Sequence, residues 1–571
     1  LNNNGKYFPT HRLVNYPASI DLNIPKKIRE RFPTIRELGH DNSQSNITNS
    51  IPRSRSVSLS ILKPLIFLVD FNNLPSSVPE QAYSKDQFQH LLFDSNLNPN
   101  EANLPSSYGM SVKDYYDEIS YEKLAINGNA ASIVDWTTVK HDYSYYVDGA
   151  QGTGNGENGL GRSAAALVVE IAMDIESNID FSDFDGNEDG EVDLVILIVE
   201  GWGNGDDSQF WPHMNIIHAG ASGISSINSS APTNNDGYFS LDGIAIKKYI
   251  VVPEQFHMNY YNVHKNDIHP IGTICHEIGH VLGLPDLYDT SDNSAAGIGE
   301  WGLMGAGNWQ RQTSPAYMNA WSRYQLGFIT PIILESVADT YFDLIPAEGD
   351  EGTLAYILPM NSRMPQEYLI LENRQNIGSD LYLEKSGLLV WHIDETITDM
   401  YPAINSVNHN SNFYGVNLIQ ADGDGDLYTD TGSADSGDPF PGSTGNTSIT
   451  SLTNPNTATY TYDRNADGTD EIGDDSGIDI SSINENSDDI ITFRVTNQNR
   501  QGRIIGYDEG GYNGTAFNDT YSDLQWAGIR IIASETALLS GVETVFPPSL
   551  WSWDVTDYTL NIWAGWSNNK P

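Results

Sequence analysis

The chain has 571 residues, several times the usual size of one domain, which predicts two to four domains. Its 29 Lys and Arg stand against 76 Asp and Glu, a formal net charge of −47, which argues against nucleic acid or an anionic membrane as partner and favours cations. Hydrophobic residues make up 39% and aromatic ones 11%, enough for real cores and too many for wholesale disorder. The single cysteine, Cys275, allows no intrachain disulfide, so packing and bound ions must supply the stability. The longest apolar runs are strand-sized, so no membrane insertion is expected.

In chain order, residues 1–58 are polar, with a basic group at Lys26, Lys27, Arg29 and Arg31, and read as a linker or the remnant of a pro-segment. The chain opens Leu-Asn-Asn-Asn without an initiator Met and reads as a processed product. The apolar run 65–69 predicts a buried strand, 85–93 and 162–179 predict helices, and 192–199 predicts a second buried strand. Residues 269–282 read as a helix, with Pro270 in its first turn, Gly283 just past its end and Pro285 preventing continuation. After residue 330 the texture changes. Short alternating runs at 368–371, 388–393 and 490–495 lie between Asn, Asp, Gly and Ser clusters, as in a β-rich domain. The tail has candidate strands at 529–532 and 558–563. The expected fold class is α+β, with domains at 59–330, 331–498 (sandwich-like) and a partial β module at 499–571.

The residues that carry chemistry are His276-Glu-Ile-Gly-His280. On a helix, positions i and i+4 share a face, so two imidazoles can reach one ion from the same side. Glu277 flanks that face, where it can hold and deprotonate a zinc-activated water. Gly283 lets the chain leave the helix sharply and turn back. Asp286 is then the candidate third ligand, at the position where extended metzincin-type motifs carry His. Asp289 and Glu300 are the other carboxylates nearby, and Asp289 reads better as a loop cap. Met304 sits in a Gly-flanked turn of the kind that lies beneath the metal in metzincins. Cys275 reads as a buried, inert thiol.

Several acidic turns are candidates for calcium. Asp185, Asn187, Asp189 and Asp193 place oxygen donors at alternate positions around Gly190, as in an EF-hand-type loop that lacks the twelfth-position Glu. Asp463, Asn465 and Asp467 repeat the start of that pattern, and Asp422, Asp424 and Asp426 form a third turn. Each is also what an ordinary Asp/Gly turn looks like. His392 and Asp394, two apart on a strand, read as structural hydrogen-bonding groups.

The run from His276 to Asp289, with the turn Glu300-Trp-Gly-Leu-Met304-Gly, resembles the immune inhibitor A group, the M6 family of metallopeptidases. Agreement extends over roughly residues 60–496, including Phe67-Leu-Val-Asp-Phe71, Phe184-Asp-Gly-Asn-Glu-Asp-Gly190, Gly387-Leu-Leu-Val-Trp-His-Ile-Asp394 and Gly437-Asp-Pro-Phe-Pro-Gly442. The resemblance implies a zincin-like catalytic domain and a secreted, calcium-stabilised zinc endopeptidase acting on protein or peptide substrates, made with a pro-segment. Two other readings stay open: a zinc hydrolase for a different amide or ester, and a calcium-dependent adhesion or carbohydrate-binding protein with a degenerate peptidase domain. The tail's Trp551, Trp553, Trp563 and Trp566 suit surface or polysaccharide binding.

Overall fold

A segment that is apolar at every position, not every second one, makes a strand only where both faces of its sheet are covered. In the computed structural model Pro64–Asp70 (β1) is such a strand. The helices Lys85–Phe93 (α1) and Val112–Ser120 (α2) follow, each opened by a reciprocal cap, Ser84 with Gln87 and Ser111 with Asp114. Next come the strand Ile133–Thr138 (β2), the helix Ala164–Ile175 (α3) and the strand Leu194–Trp202 (β3), unbroken in apolar residues from Leu194 to Val199. Strands His213–Ile216 (β4) and Lys248–Gln255 (β5) complete a five-stranded sheet in the order β2–β1–β3–β5–β4. It is parallel except for the edge strand β4, which runs antiparallel to β5. The structure describes residues 60–497 apart from 204–207, 220–222, 262, 291–294, 310–312, 335–336, 350–353, 361–366, 401–404, 430–432 and 461–474. The segment 1–58, the module 499–571 and the calcium candidates Asp463, Asn465 and Asp467 therefore lie outside the described residues.

Residue parity along the strands decides what covers each face. Leu65, Phe67 and Val69, with Val195, Leu197 and Val199, share a buried cluster with Leu167, Val168 and Ile171 of α3. Ile66, Leu68, Ile196 and Ile198 belong to a second cluster with Ile271, Ile274, Cys275 and Ile278 of the helix Ile271–Val281 (α4). Cys275 is fully buried there, and burial pushes its thiol well above the ordinary range.

A short helix, Ala320–Gln325 (α5), leads to the strand-rich half. Its strands are Val337–Leu344 (β6), Tyr356–Pro359 (β7), Glu367–Arg374 (β8), Gly387–Asp394 (β9), Val416–Leu418 (β10), Ile478–Glu485 (β11) and Ile491–Asn497 (β12). Strands β7 to β10 are antiparallel neighbours in one sheet, with Ile332–Ile333 parallel to β7 at its edge. Strands β6, β12 and β11 form a second, antiparallel sheet. Alternation again assigns faces: Leu369, Leu371, Leu388 and Val390 meet Ile478, Ile480, Ile491, Phe493 and Val495 of the second sheet. Ile370, Leu389, Trp391 and Ile393 point the other way, into the cluster that holds α4. The core beneath α4 therefore runs across residue 330 without a break. Among the described residues this is a mixed α/β structure, and no helix is long and apolar enough to cross a membrane.

Candidate metal centre

Helix α4 starts after Pro270 and ends where Gly283, at φ +98°, turns the chain back. His276 and His280 stand one turn apart, their ring centroids 4.8 Å apart and mutually perpendicular. Each ring is oriented from behind. His276 Nδ1 donates to the Leu303 carbonyl at 2.9 Å and His280 Nδ1 donates to the Leu284 carbonyl at 2.8 Å. With Nδ1 committed to a backbone carbonyl, Nε2 is the nitrogen left to give up its proton and coordinate a metal ion.

Both Nε2 atoms face one carboxylate oxygen. Asp286 Oδ1 lies 3.0 Å from His276 Nε2 and 3.3 Å from His280 Nε2. Ligand atoms of the three side chains all fall within 4.8 Å of one another, and His276 and Asp286 are buried while His280 keeps a partly open edge. Burial alone opposes charge on His280, but Asp286, and Glu277 after it, raise its pKa to about 9. Burial likewise opposes ionisation of Asp286, yet His280 and His276 hold its carboxyl well below the usual range. Two imidazole nitrogens and a carboxylate oxygen, pre-oriented and facing one point, fit a zinc ion by their donor chemistry. Glu277 is buried beside them, and burial raises its pKa above that of an exposed Glu, against the pull of both histidines.

Asn405 is a site residue that the sequence did not reveal. Its side-chain amide grips Asp286 twice: Nδ2 donates to Asp286 Oδ2 at 2.5 Å, and Oδ1 accepts from the Asp286 backbone N–H at 2.7 Å. This leaves Oδ1 of Asp286 turned toward the histidines. Asn408 binds the Leu287 carbonyl and both backbone polar groups of Val416, tying the segment after α4 to β10. Asn405→Ala is expected to weaken zinc binding about 10–100-fold while the fold survives, as loss of a ligand-orienting partner generally does. Competition with a chromophoric chelator measures it, and an unchanged affinity would remove Asn405 from this role.

Residues 63–330 match the sequence profile of the immune inhibitor A peptidase M6 catalytic domain. This segment is an M6 peptidase catalytic domain. The chain is also similar to the pre-pro-metalloprotease PrtV of Vibrio cholerae serotype O1, at 27% identity over 294 residues, covering 46% of this chain and 29% of that protein. It is 25% identical over 276 residues to immune inhibitor A of Bacillus thuringiensis subsp. alesti, covering 43% of this chain and 36% of the relative. The chain thus spans about a third of the length of the curated relatives it matches.

Within the M6 domain Met304 is buried, and its Sδ lies only 2.5 Å from where a Cβ on Gly279 would sit, directly against α4 between the histidines. Its carbonyl accepts from the Leu287 N–H at 2.8 Å, which joins the Met304 turn to the segment carrying Asp286. The loop 185–193 closes on itself: Asp185 accepts from the N–H groups of Asp189 and Gly190, and Asp193 accepts from those of Gly186 and Lys63. Among the described residues, carboxylates converge in a metal-sized group elsewhere, at Asp422, Asp424 and Asp435. Asp289 is buried, away from the His276–His280–Asp286 group, and Glu300 accepts from the Ala434 N–H at 2.7 Å. His392 bonds to Glu367 at 2.9 Å and stacks on Tyr460.

Proposed function

We propose that the chain is a zinc endopeptidase in which His276, His280 and Asp286 hold the metal and Glu277 is the general base. The observation that carries this is the convergence of two Nε2 atoms and one carboxylate oxygen within 4.8 Å, on a helix that places a buried Glu next to the first histidine. Zinc held there would supply Lewis acidity toward a peptide carbonyl and toward water at neutral pH. Glu277 would accept the proton of the attacking water and return it to the leaving amine; its raised pKa makes it a stronger acceptor than an exposed Glu. Asn405, Leu303 and Leu284 fix the ligands so that little reorganisation accompanies binding.

The M6 domain reads as zincin-like, with α4 against a mostly parallel sheet, and the two sheets of the strand-rich half as a sandwich that seats it. Calcium is included as a structural cation at the acidic loops, Asp185, Asn187, Asp189 and Asp193 among them. Protein substrates and secretion are supported by the relatives, one of which is named a pre-pro-metalloprotease. Metal analysis and casein hydrolysis on the same sample test the reading. The expected result is one zinc per chain, loss of hydrolysis on chelation and recovery on adding zinc. A zinc-loaded chain that leaves casein intact, both before and after removal of residues 1–58, would overturn it.

A further inference from the structure

We propose that Trp301 is a positioning residue for His276, acting because side chains from beyond the M6 domain pin it in place. The inference rests on the zinc reading above, since it concerns the aim of one of the three ligands. His276 Nδ1 meets the Leu303 carbonyl at 2.9 Å, so the ring can be no better placed than that carbonyl. The turn that carries it is too short to fix it alone. Gly299–Trp301 is a single turn of 3-10 helix, ending at Gly302, whose φ of −164° and ψ of 153° are those of extended chain. A helix of that length has too few internal bonds to stand by itself.

The strand-rich half holds it instead. The Trp301 indole N–H donates to Asp438 Oδ2 at 2.7 Å, and Arg374 Nη1 donates to the Trp301 carbonyl at 3.0 Å. One residue earlier, Glu300 accepts from the Ala434 N–H at 2.7 Å. Trp301 and Arg374 are fully buried and Asp438 nearly so, which places both Trp301 bonds away from water, where they are strongest. Asp438 is itself held on two sides: Oδ2 also accepts from the Asp435 N–H at 2.9 Å, and its carbonyl accepts from the Ala421 N–H at 2.8 Å. Arg374, Ala434 and Asp438 all lie past residue 330, where the match to the M6 profile ends.

The same turn reaches a second ligand. The Leu287 N–H donates to the Met304 carbonyl at 2.8 Å and the Ile298 N–H donates to the Leu287 carbonyl at 2.9 Å, and Leu287 directly follows Asp286. Residues 298–304 therefore brace both His276 and Asp286. A metal site works only if its ligands stay within about 0.5 Å of the productive arrangement. Trp301 meets that demand with a rigid, planar side chain anchored at both its indole and its carbonyl. A looser turn would let the His276 ring swing and distort the coordination without removing any ligand.

The test compares three variants of the full chain with the parent and with His276→Ala. Trp301→Phe deletes the indole N–H and keeps an aromatic ring, Asp438→Leu deletes the acceptor, and Asp438→Asn keeps one. Each is measured by chelator competition for zinc, by the visible spectrum after cobalt substitution, and by urea unfolding of the metal-free protein. Trp301→Phe and Asp438→Leu are expected to bind zinc about tenfold more weakly, the lower end of what losing a ligand-orienting partner does, and to shift the cobalt bands. Their double variant should lose no more than either single one, because both remove the same bond. Asp438→Asn should keep the parent's affinity and spectrum. Should Trp301→Phe fail to fold, the two Asp438 variants carry the same comparison. Variants that are less stable yet match the parent in zinc affinity and cobalt spectrum would overturn the positioning role and leave Trp301 as core packing. So would equal losses in Asp438→Asn and Asp438→Leu. A parent whose zinc affinity survives His276→Ala unchanged would overturn the zinc reading itself, and this inference with it.

Discussion

Glu277→Gln is expected to retain the full zinc content of the parent and to lose at least about a hundredfold in casein hydrolysis, the lower end of what a general base contributes. The two halves of this result have separate causes. The proposed ligands are His276, His280 and Asp286, and the hydrogen bonds that orient them run to Leu303, Leu284 and Asn405 rather than to the Glu277 side chain. Glutamine has the same volume and suits a buried position at least as well as a carboxylate whose ionisation burial already opposes. Fold and metal affinity should therefore survive. What the amide lacks is basicity, so the proton of the attacking water has no acceptor. Zinc content and turnover measured on one preparation decide the matter. A zinc-replete variant with more than a tenth of the parent's rate would remove Glu277 from the role of base.

The second large effect concerns the fold that holds the site. Arg374 is fully buried and bonds to both oxygens of Asp380, at 2.5 and 2.7 Å, and to the carbonyls of Trp301 and Tyr317. Arg323 pairs with Glu372 at 2.5 Å and also donates to Tyr121. Glu348 lies against Arg374 as well, but burial, with Asp380 next, pushes its pKa up and so favours its neutral form. The charges thus balance, two guanidinium groups against Glu372 and Asp380. Arg374→Met would leave an uncompensated carboxylate in the core and cost about 3–5 kcal/mol. Urea unfolding of the metal-loaded protein measures it. The double variant Arg374→Met, Asp380→Leu should recover much of the loss, because the unpaired charge is then gone. A single variant within about 1 kcal/mol of the parent would show that the network carries little.

How much of this could be read in the sequence depended on how local each signal is. Helix α4 and its three convergent side chains were legible because helical period, a stop at Gly283 and a short return to Asp286 all lie within one stretch of chain. The buried strands β1 and β3 were legible from their unbroken apolar runs. Strand β5 was not, because Pro253 argues against a central strand. It is tolerated since the ladder between β4 and β5 ends at residue 251, so Pro253 owes no N–H to β4. Asn405 and Arg374 left no trace, because an Asn in a loop and an Arg on a strand acquire meaning only through partners far along the chain. The acidic turn at Asp422 was visible, but its meeting with Asp435 depends on two loops folding together.

The bond between Asn405 and Asp286 joins residues 119 positions apart. Its consequence is one of timing. Synthesis delivers the chain from the N-terminus at about 5–20 residues per second, so several seconds separate the emergence of the histidines from that of Asn405. Throughout that interval a nascent chain owns the three side chains of the site but not the amide that aims Asp286. A ribosome-bound chain halted before residue 405 should accordingly capture zinc poorly, and one released after residue 497 should capture it well. The order of synthesis would thus delay the cutting activity until the whole unit has left the ribosome.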